Sequence, residues 1–251
     1  MAGTAAAFFD VDETLIRVKS MFRFLEFYLR RRGEPAGTYR RLTDELRAAA
    51  AGGLPRHEVN RRYYRLYAGE EAGRLTAAGA DWFAAELAEG LFVPETVEAL
   101  DRHRAAGETV LLLSGSFFAC LEPIAAHLSV HGAIGTRPVV RHGRLTGEVV
   151  TPMIGPAKAA AARAAAGVLG LDLAASTGYG DHSSDLDLLR TVGRAVVVGD
   201  DPRLTAHAAR FGWSRLLCNR PPADWEPPLG PGAEPWPEPP TKVGLTGEIH
   251  A

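Results

Sequence analysis

The chain of 251 residues has little cysteine and little excess charge of either sign. Its only two cysteines, Cys120 and Cys218, lie far apart in the sequence, so they predict neither a disulfide framework nor a clustered metal site. The formal net charge at pH 7 is −2. A value so close to zero argues against a nucleic-acid-binding protein that depends on a basic surface.

Long apolar runs are also missing. No apolar segment approaches the ~18 residues that a membrane-spanning helix requires, and the first ten residues lack the basic start of a secretory signal peptide. We therefore expect no membrane span and a cytoplasmic protein. The overall composition, with 46% hydrophobic and 23% charged residues, is that of an ordinary globular protein, and it leaves the oligomeric state open.

Lysine is the scarcest of the charged residues. Only three of the 28 basic residues are lysines, at Lys19, Lys158 and Lys242, and all the others are arginines. Because arginine is the usual cation of this chain, a lysine indicates a position where a compact point charge is needed.

Apolar runs and helical periodicity alternate along most of the chain. Residues 5–9 are typical of a buried strand, residues 20–91 carry helical patterns with Ser20 as the expected first N-cap, and strands and helices then alternate again. This order predicts an α/β fold, a doubly wound Rossmann-like parallel sheet with a helical cap domain inserted after the first strand. His142-Gly143, between β-like runs, predicts a hairpin over 139–150.

The same pattern predicts the domain boundaries. Residues 1–16 and 93–218 are expected to form the catalytic core, and residues 17–92 the helical cap. Residues 219–251 form a tail whose segment 221–240 holds nine of the 17 prolines. Proline at that density cannot supply the hydrogen bonds of a helix or sheet, so the tail is expected to be extended, either packed on the body or disordered.

Two polar clusters follow apolar strands. Asp10 and Asp12 come directly after the first strand, and an extended chain would point both carboxylates to one side. Like charges so close are costly unless a cation or an acid–base role compensates them. Ser114-Gly115-Ser116 follows another strand, where a hydroxyl and free backbone N–H groups suit a phosphate oxygen. A solvated turn is the alternative for either cluster.

Two further positions complete the set. Lys158 lies in the first turn of an Ala-rich helix, where the helix dipole disfavours a cation. Asp181 and Asp185 follow a third strand, four residues apart, as in a site for a hard cation. His182 between them is interpreted as a surface or hydrogen-bonding residue rather than a metal ligand. Four arginines of the insert are interpreted as a solvated helix face, namely Arg56, Arg61, Arg62 and Arg65.

Together these segments resemble the haloacid-dehalogenase-like (HAD) hydrolases, and within them the phosphoserine-phosphatase-type phosphatases of subfamily IB. The resemblance covers residues 5–218. It rests on four segments, FFDVDETLI, LLLSGS, GPAKAAA and GYGDHSSDLDLL, and on the hairpin segment AIGTRPVVRHGRLTGEV.

The resemblance implies a Mg²⁺-dependent phosphomonoesterase that works through an aspartyl-phosphate. Asp10 would be the nucleophile, and Asp12 would protonate the leaving oxygen and then activate water. The metal would be held by Asp10, the main-chain carbonyl of Asp12 and Asp181, with Asp185 orienting these ligands. The expected phosphate-binding residues are Thr14, Ser114, Gly115 and Lys158.

The expected substrate is a small phosphorylated metabolite. Relatives that act on phosphoserine carry an acidic residue near the position of Lys19, and Arg23 lies close by in the sequence. Lys19 and Arg23 are therefore the residues expected to choose the substrate, and phosphoserine itself is disfavoured. Two alternatives stay open, a phosphatase of lipid phosphates and a non-catalytic binding or regulatory protein with the same fold.

Overall fold

The computed structural model describes residues 3–218, and the predictions for the tail, including Lys242, lie outside them. The strands in this range are β1 (Ala6–Phe9), β2 (Thr109–Ser114), β3 (Gly132–Gly135), β4 (Pro138–Arg141), β5 (Arg144–Val149), β6 (Thr177–Gly180), β7 (Arg194–Val198) and β8 (Ser214–Leu216). The α-helices are α1 (Ser20–Arg31), α2 (Gly37–Ala51), α3 (Arg56–Arg65), α4 (Ala72–Ala88), α5 (Pro94–Ala105), α6 (Phe118–Leu128), α7 (Pro156–Leu169), α8 (Leu186–Leu189) and α9 (Pro202–Phe211).

Six of these strands form one parallel sheet in the order β3-β2-β1-β6-β7-β8. Strand β1 lies in the middle, with Phe8 paired to Leu111 of β2 on one side and to Gly178 of β6 on the other. The chain thus winds outward from β1 in both directions, which is the strand order of a Rossmann-like fold. Strands β4 and β5 form a separate antiparallel hairpin.

The two faces of β1 are both buried because alternate side chains point to opposite sides. Ala7 and Phe9 pack in the core cluster that includes residues of α5 and α6. Ala6 and Phe8 pack in a second cluster, which includes residues of α7 and α8. Helices therefore cover both faces of the sheet, and the prediction of a doubly wound α/β fold is confirmed.

Three details of the prediction from the sequence need correction. Ser20 is not the N-cap of α1, since Lys19 holds that position, and the Ser20 hydroxyl instead donates to Ser116 Oγ at 2.8 Å. Strand β3 and helix α9 were not predicted. Strand β3 has glycine at both ends, so its sequence lacks the apolar pattern of a strand. Helix α9 does have an ordinary start, with Pro202 after the N-cap Asp201, whose side chain accepts from Leu204 N–H at 2.8 Å.

The predicted hairpin is present, and its turn is the expected one. His142 and Gly143 both have positive φ, 50° and 75°, as a two-residue hairpin turn requires. The hairpin packs on the helical segment through backbone bonds from Gly69 N–H to Leu145 O at 2.7 Å and from Ala72 N–H to Gly143 O at 2.8 Å. The helical segment between β1 and β2 is thus hydrogen-bonded to a hairpin from later in the chain. Among the described helices, none is both long enough and apolar enough to cross a membrane.

A glycine sets the distance between α4 and α6. A Cβ built on Gly79 would lie 1.9 Å from the carbonyl oxygen of Ala119, whereas one on Gly73 of the same helix would meet nothing within 4 Å. Gly79→Ala should therefore push the helices apart and lower the free energy of unfolding by about 3 kcal/mol. Gly73→Ala should leave it unchanged or raise it by up to ~1 kcal/mol. Urea unfolding of both variants checks the contrast, and equal stability would show that the two helices lie further apart.

Candidate active site

The polar clusters of the sequence meet at the carboxyl ends of three adjacent strands. Asp10 follows β1, Ser114 is the last residue of β2, and Asp181 follows β6. Because β1 lies between β2 and β6, these ends border the point where the winding of the sheet reverses, which is where open α/β sheets bind ligands. A backbone bond from Asp10 N–H to Tyr179 O at 3.0 Å ties the first loop to β6.

Lys158 lies at the centre of this site. Its side chain enters from the first turn of α7 and is buried, and its ammonium group donates to the carboxylate of Asp10 and to Asp185 Oδ1, the latter at 2.6 Å. Burial lowers the pKa of Lys158, but the charges of Asp10 and Asp185 outweigh burial and raise it above its usual value. The lysine therefore stays a cation in the folded protein.

Three carboxylates surround the lysine and exceed its charge. Asp10, Asp181 and Asp185 each offer an oxygen, and these oxygens lie within 4.8 Å of one another. Burial, followed by the charges of Asp10 and Asp185, raises the pKa of Asp181 well above its usual range. A single ammonium group leaves this cluster with an excess of negative charge, and all its donors are hard oxygens. The residues present therefore fit a divalent cation such as Mg²⁺.

Asp12 is a further acid of the site, outside the cluster of three carboxylates around Lys158. It lines the cavity described below, and its Oδ1 is buried without a hydrogen-bond partner among the described residues. Burial raises the pKa of Asp12 to about 7, hydrogen bonds from Ser20 oppose the rise, and the charge of Asp10 adds to it. In the protein alone, a carboxyl group with this pKa exchanges a proton at neutral pH, as a general acid and base must.

Thr14 and Ser114 use their hydroxyls differently. Thr14 is fully buried, and its hydroxyl donates to Asp181 Oδ1 at 2.9 Å, with Asp10 Oδ2 at 3.4 Å. It links two acids and does not line the cavity. Ser114 does line it, and its Oγ accepts from Ser116 N–H at 3.1 Å, which leaves the hydroxyl hydrogen free to donate into the cavity.

The site opens into a cavity of about 110 Å³ between the strand ends and the helices that follow β1. Its floor carries the acids, Lys158, Ser114 and Gly115. The helices α1–α3 contribute apolar lining residues, Met21, Phe22, Leu46 and Val59, and Ile154 adds to them beside Gly115. With a divalent cation on its acids, such a cavity would suit a ligand with one strongly anionic end.

The two residues expected to choose the substrate differ in position. Lys19 lines the cavity, and its ammonium group lies 3.5 Å from Glu13 Oε2, which lines the cavity as well. Arg23 does not line it, and its Nε donates to Glu86 Oε1 at 2.9 Å. The structure therefore brings Lys19 to the cavity that Asp10 and Asp12 line, and it turns Arg23 toward α4.

Other cavity residues were not found from the sequence. Arg56 is exposed, as predicted for its cluster, but it also lines the cavity, and its Nη1 lies 2.9 Å from His182 Nδ1. His182 is a hydrogen-bonding residue, as predicted, and its Nδ1 accepts from Ser184 N–H at 3.0 Å. Asn60 also lines the cavity. Nothing in the spacing of α3 marks Arg56 or Asn60, since only the packing of that helix brings them here.

Comparison with known proteins agrees with this geometry. The haloacid dehalogenase-like hydrolase family matches residues 7–190. The phosphoserine phosphatase SerB1 of Mycobacterium tuberculosis is 33% identical over 221 residues, which cover 84% of this chain and 70% of that protein. A protein of Streptomyces azureus named inhibition of morphological differentiation protein is 31% identical over 86% of this chain and 79% of its own length.

Among solved structures, a protein of unknown function from Bordetella pertussis Tohama I has the same fold, with a TM-score of 0.76. It is 27% identical, and the match covers 86% of this chain and 99% of that one. The family match spans most of the described residues, and it includes every strand end that carries a polar cluster. This chain therefore belongs to the haloacid dehalogenase-like hydrolases, within their phosphoserine-phosphatase-type group of phosphatases.

Proposed function

We propose that the protein is a Mg²⁺-dependent phosphomonoesterase that hydrolyses a small phosphorylated metabolite through an aspartyl-phosphate on Asp10. The observation that carries this proposal is the placing of the Asp10 carboxylate at the end of β1, held by a buried lysine and flanked by two further carboxylates. A nucleophile, a fixed cation and a cluster of hard ligands thus meet at one point of the sheet.

The reaction then has two steps. An Asp10 oxygen attacks the phosphorus, the bond from phosphorus to the ester oxygen breaks, and Asp12 gives that oxygen its proton. Asp12 next takes a proton from a water molecule, which attacks the phosphorus and releases phosphate and the Asp10 carboxylate. The unpartnered Oδ1 of Asp12 at the cavity supports this role.

Other residues hold the transferring group. The Ser114 hydroxyl, the Gly115 backbone N–H and Lys158 would bind the phosphoryl oxygens, as cations and hydrogen-bond donors do in phosphoryl transfer. Thr14 would act indirectly, since its hydroxyl orients Asp181 and Asp10. Donors of this kind offset the charge that builds up on the phosphoryl oxygens in the transition state.

The carboxylates of Asp10 and Asp181 and the main-chain carbonyl of Asp12 would hold Mg²⁺, with Asp185 orienting them. The ion would supply positive charge that reduces repulsion between an anionic nucleophile and a phosphate. Removal of divalent cations with EDTA should lower the hydrolysis of p-nitrophenyl phosphate at least about 100-fold, and added Mg²⁺ should restore it. Full activity of the metal-free protein, verified by elemental analysis, would contradict this part of the proposal.

The helices α1–α4 would form a cap over the site, and the cap would choose the substrate. Lys19, at the start of α1, supports a substrate whose far end carries a carboxylate, a second phosphate or several hydroxyls. A lysine repels the ammonium group of phosphoserine, although SerB1, a relative, is named a phosphoserine phosphatase. We therefore expect phosphoserine to be a poor substrate of this protein.

Charge reversal at Lys19 tests the choice of substrate. Lys19→Glu should lower kcat/KM about tenfold or more for 3-phosphoglycerate and raise it for phosphoserine, because the sign of the charge facing the far end changes. Arg30→Glu is the matched control, since Arg30 lies on the same helix, pairs with Glu26 and does not line the cavity. Equal substrate ratios for the two variants would remove Lys19 from the specificity site.

A phosphatase of lipid phosphates is the second candidate, and the apolar lining of the cavity is the observation that favours it. Most apolar residues of α1 support it less, because Phe24, Leu25, Tyr28 and Leu29 are buried in the core. Hydrolysis of detergent-dispersed lipid phosphates, with none of sugar phosphates, would establish the lipid reading. The opposite result would establish the small-metabolite reading.

A further inference from the structure

The carbonyl oxygen of Gly115 accepts three hydrogen bonds. Asn60 Nδ2 and the Tyr64 hydroxyl both donate to it at 3.0 Å, and the Thr136 hydroxyl donates at 2.8 Å. A carbonyl oxygen has two lone pairs, so three donors saturate it. Two of the three come from α3, one helical turn apart on the same face, and the third comes from the residue that follows β3.

We propose that Asn60 and Tyr64 are positioning residues that hold the loop of residues 114–116 in its phosphate-binding form. The inference rests on the proposed function, and it deepens it by making that loop depend on α3. A peptide group can turn about its flanking bonds, and a turned Gly115 peptide would present its carbonyl oxygen to the cavity. A carbonyl there would repel a phosphoryl oxygen, and the three donors to Gly115 O oppose that turn.

The fixed peptide also controls the neighbouring hydroxyl. Its N–H belongs to Ser116 and donates to Ser114 Oγ at 3.1 Å, so the same peptide that α3 holds also occupies an acceptor site of the Ser114 hydroxyl. The Ser114 hydrogen is thereby directed away from Ser116. From the other side, Thr136 N–H donates to Ser116 O at 2.7 Å, which holds the rest of the loop.

Neither α3 side chain is suited to contact the substrate itself. Tyr64 is fully buried and does not line the cavity. Asn60 does line it, but it is only 5% exposed and its amide nitrogen is used by Gly115 O and the sulfur of Met21, at 3.0 and 3.7 Å. Asn60 and Tyr64 would therefore influence the reaction through their hydrogen bonds to the Gly115 carbonyl.

Tyr64→Phe is the sharpest test because it removes one hydroxyl and keeps the ring. We expect kcat/KM for p-nitrophenyl phosphate to fall about tenfold, and inhibition by orthovanadate to weaken by a similar factor. Asn60→Ala should act in the same direction. The double variant should lose less than the product of the two single losses, because both donors serve one acceptor.

Tyr67→Phe is the matched control. Tyr67 is also buried and follows α3, and its hydroxyl bonds to that of Tyr63 at 2.7 Å, with no bond to the loop. If Tyr64 had only a structural role, both variants would lose similar thermal stability and keep wild-type kcat/KM and orthovanadate inhibition. If Tyr64 positions the loop, only Tyr64→Phe changes the two functional values at a temperature where all variants are folded.

The outcomes separate this inference from the proposed function. An active wild type with Tyr64→Phe equal to Tyr67→Phe overturns the inference and leaves the function standing. An inactive wild type overturns the function, and calorimetry with orthovanadate then decides the inference. Tighter binding by the wild type than by Tyr64→Phe supports the positioning role, whereas equal binding, or none by either protein, overturns it.

Discussion

Asp10→Asn is expected to lower kcat for p-nitrophenyl phosphate by about 10³-fold or more, since an amide cannot serve as the attacking oxygen nucleophile. The size of the side chain is unchanged, so its packing at the end of β1 should persist. The buried ammonium of Lys158 keeps its bond to Asp185. The loss should therefore appear in the chemical step, and circular dichroism should show a folded protein.

The control for this variant is Asp187→Asn. Asp187 is an acid of the segment that carries Asp181 and Asp185, but it neither lines the cavity nor belongs to the carboxylate cluster. Its activity should stay within about twofold of the wild type. Reduction of the quenched wild-type reaction with borohydride should convert residue 10 to homoserine, and mass spectrometry detects this change. Activity of Asp10→Asn equal to that of the wild type would exclude Asp10 as the nucleophile.

The position of the site follows from the order of strands, and for this reason it was predictable. Asp10 and Asp181 stand directly after β1 and β6, Ser114 ends β2, and parallel strands of one sheet present these ends along one edge. The sequence pattern thus predicts their meeting without any side-chain detail. Lys158 could be singled out because lysine is scarce in this chain and because a helix start is an unfavourable place for a cation.

The residues contributed by α3 could not be predicted in this way. Asn60 and Tyr64 are 55 and 51 residues away in sequence from the carbonyl that they hold, and nothing in a helical pattern specifies the partner of a side chain. Arg56 looks like the other arginines of its helix, but only Arg56 reaches His182. The docking of the helix decides these contacts, and docking is a property of the whole core.

The hydrogen-bond partners of residues within the site could not be predicted from the sequence either. Thr14 was expected to bind phosphate, whereas the structure places its hydroxyl against Asp181 and Asp10. Burial explains the difference, because Thr14 has no exposed surface and must find its hydrogen bonds inside the protein. Exposure depends on tertiary packing, and a motif five residues long carries no information about it.

Lys158→Met should lower stability and activity while it raises the affinity for Mg²⁺. Methionine has a similar length and no charge, so Asp10 and Asp185 lose a buried partner, and the free energy of unfolding of the metal-free protein should fall by about 3–5 kcal/mol. The same loss makes the carboxylate cluster more negative, so Mg²⁺ should bind more tightly than to the wild type. Activity should still fall about 100-fold, because the phosphoryl oxygens lose a fixed cation.

These opposite changes distinguish a residue of the site from one that merely supports the fold. Lys19→Met is the matched control for stability, since the Lys19 side chain is 47% exposed and its loss should change the free energy of unfolding by less than about 0.5 kcal/mol. Urea unfolding without metal, calorimetric titration with Mg²⁺ and phosphate release measure the three quantities. If Mg²⁺ bound more weakly to Lys158→Met, the lysine would be helping to build the metal site instead of opposing the cation's charge, and the electrostatic account of the cluster would be wrong.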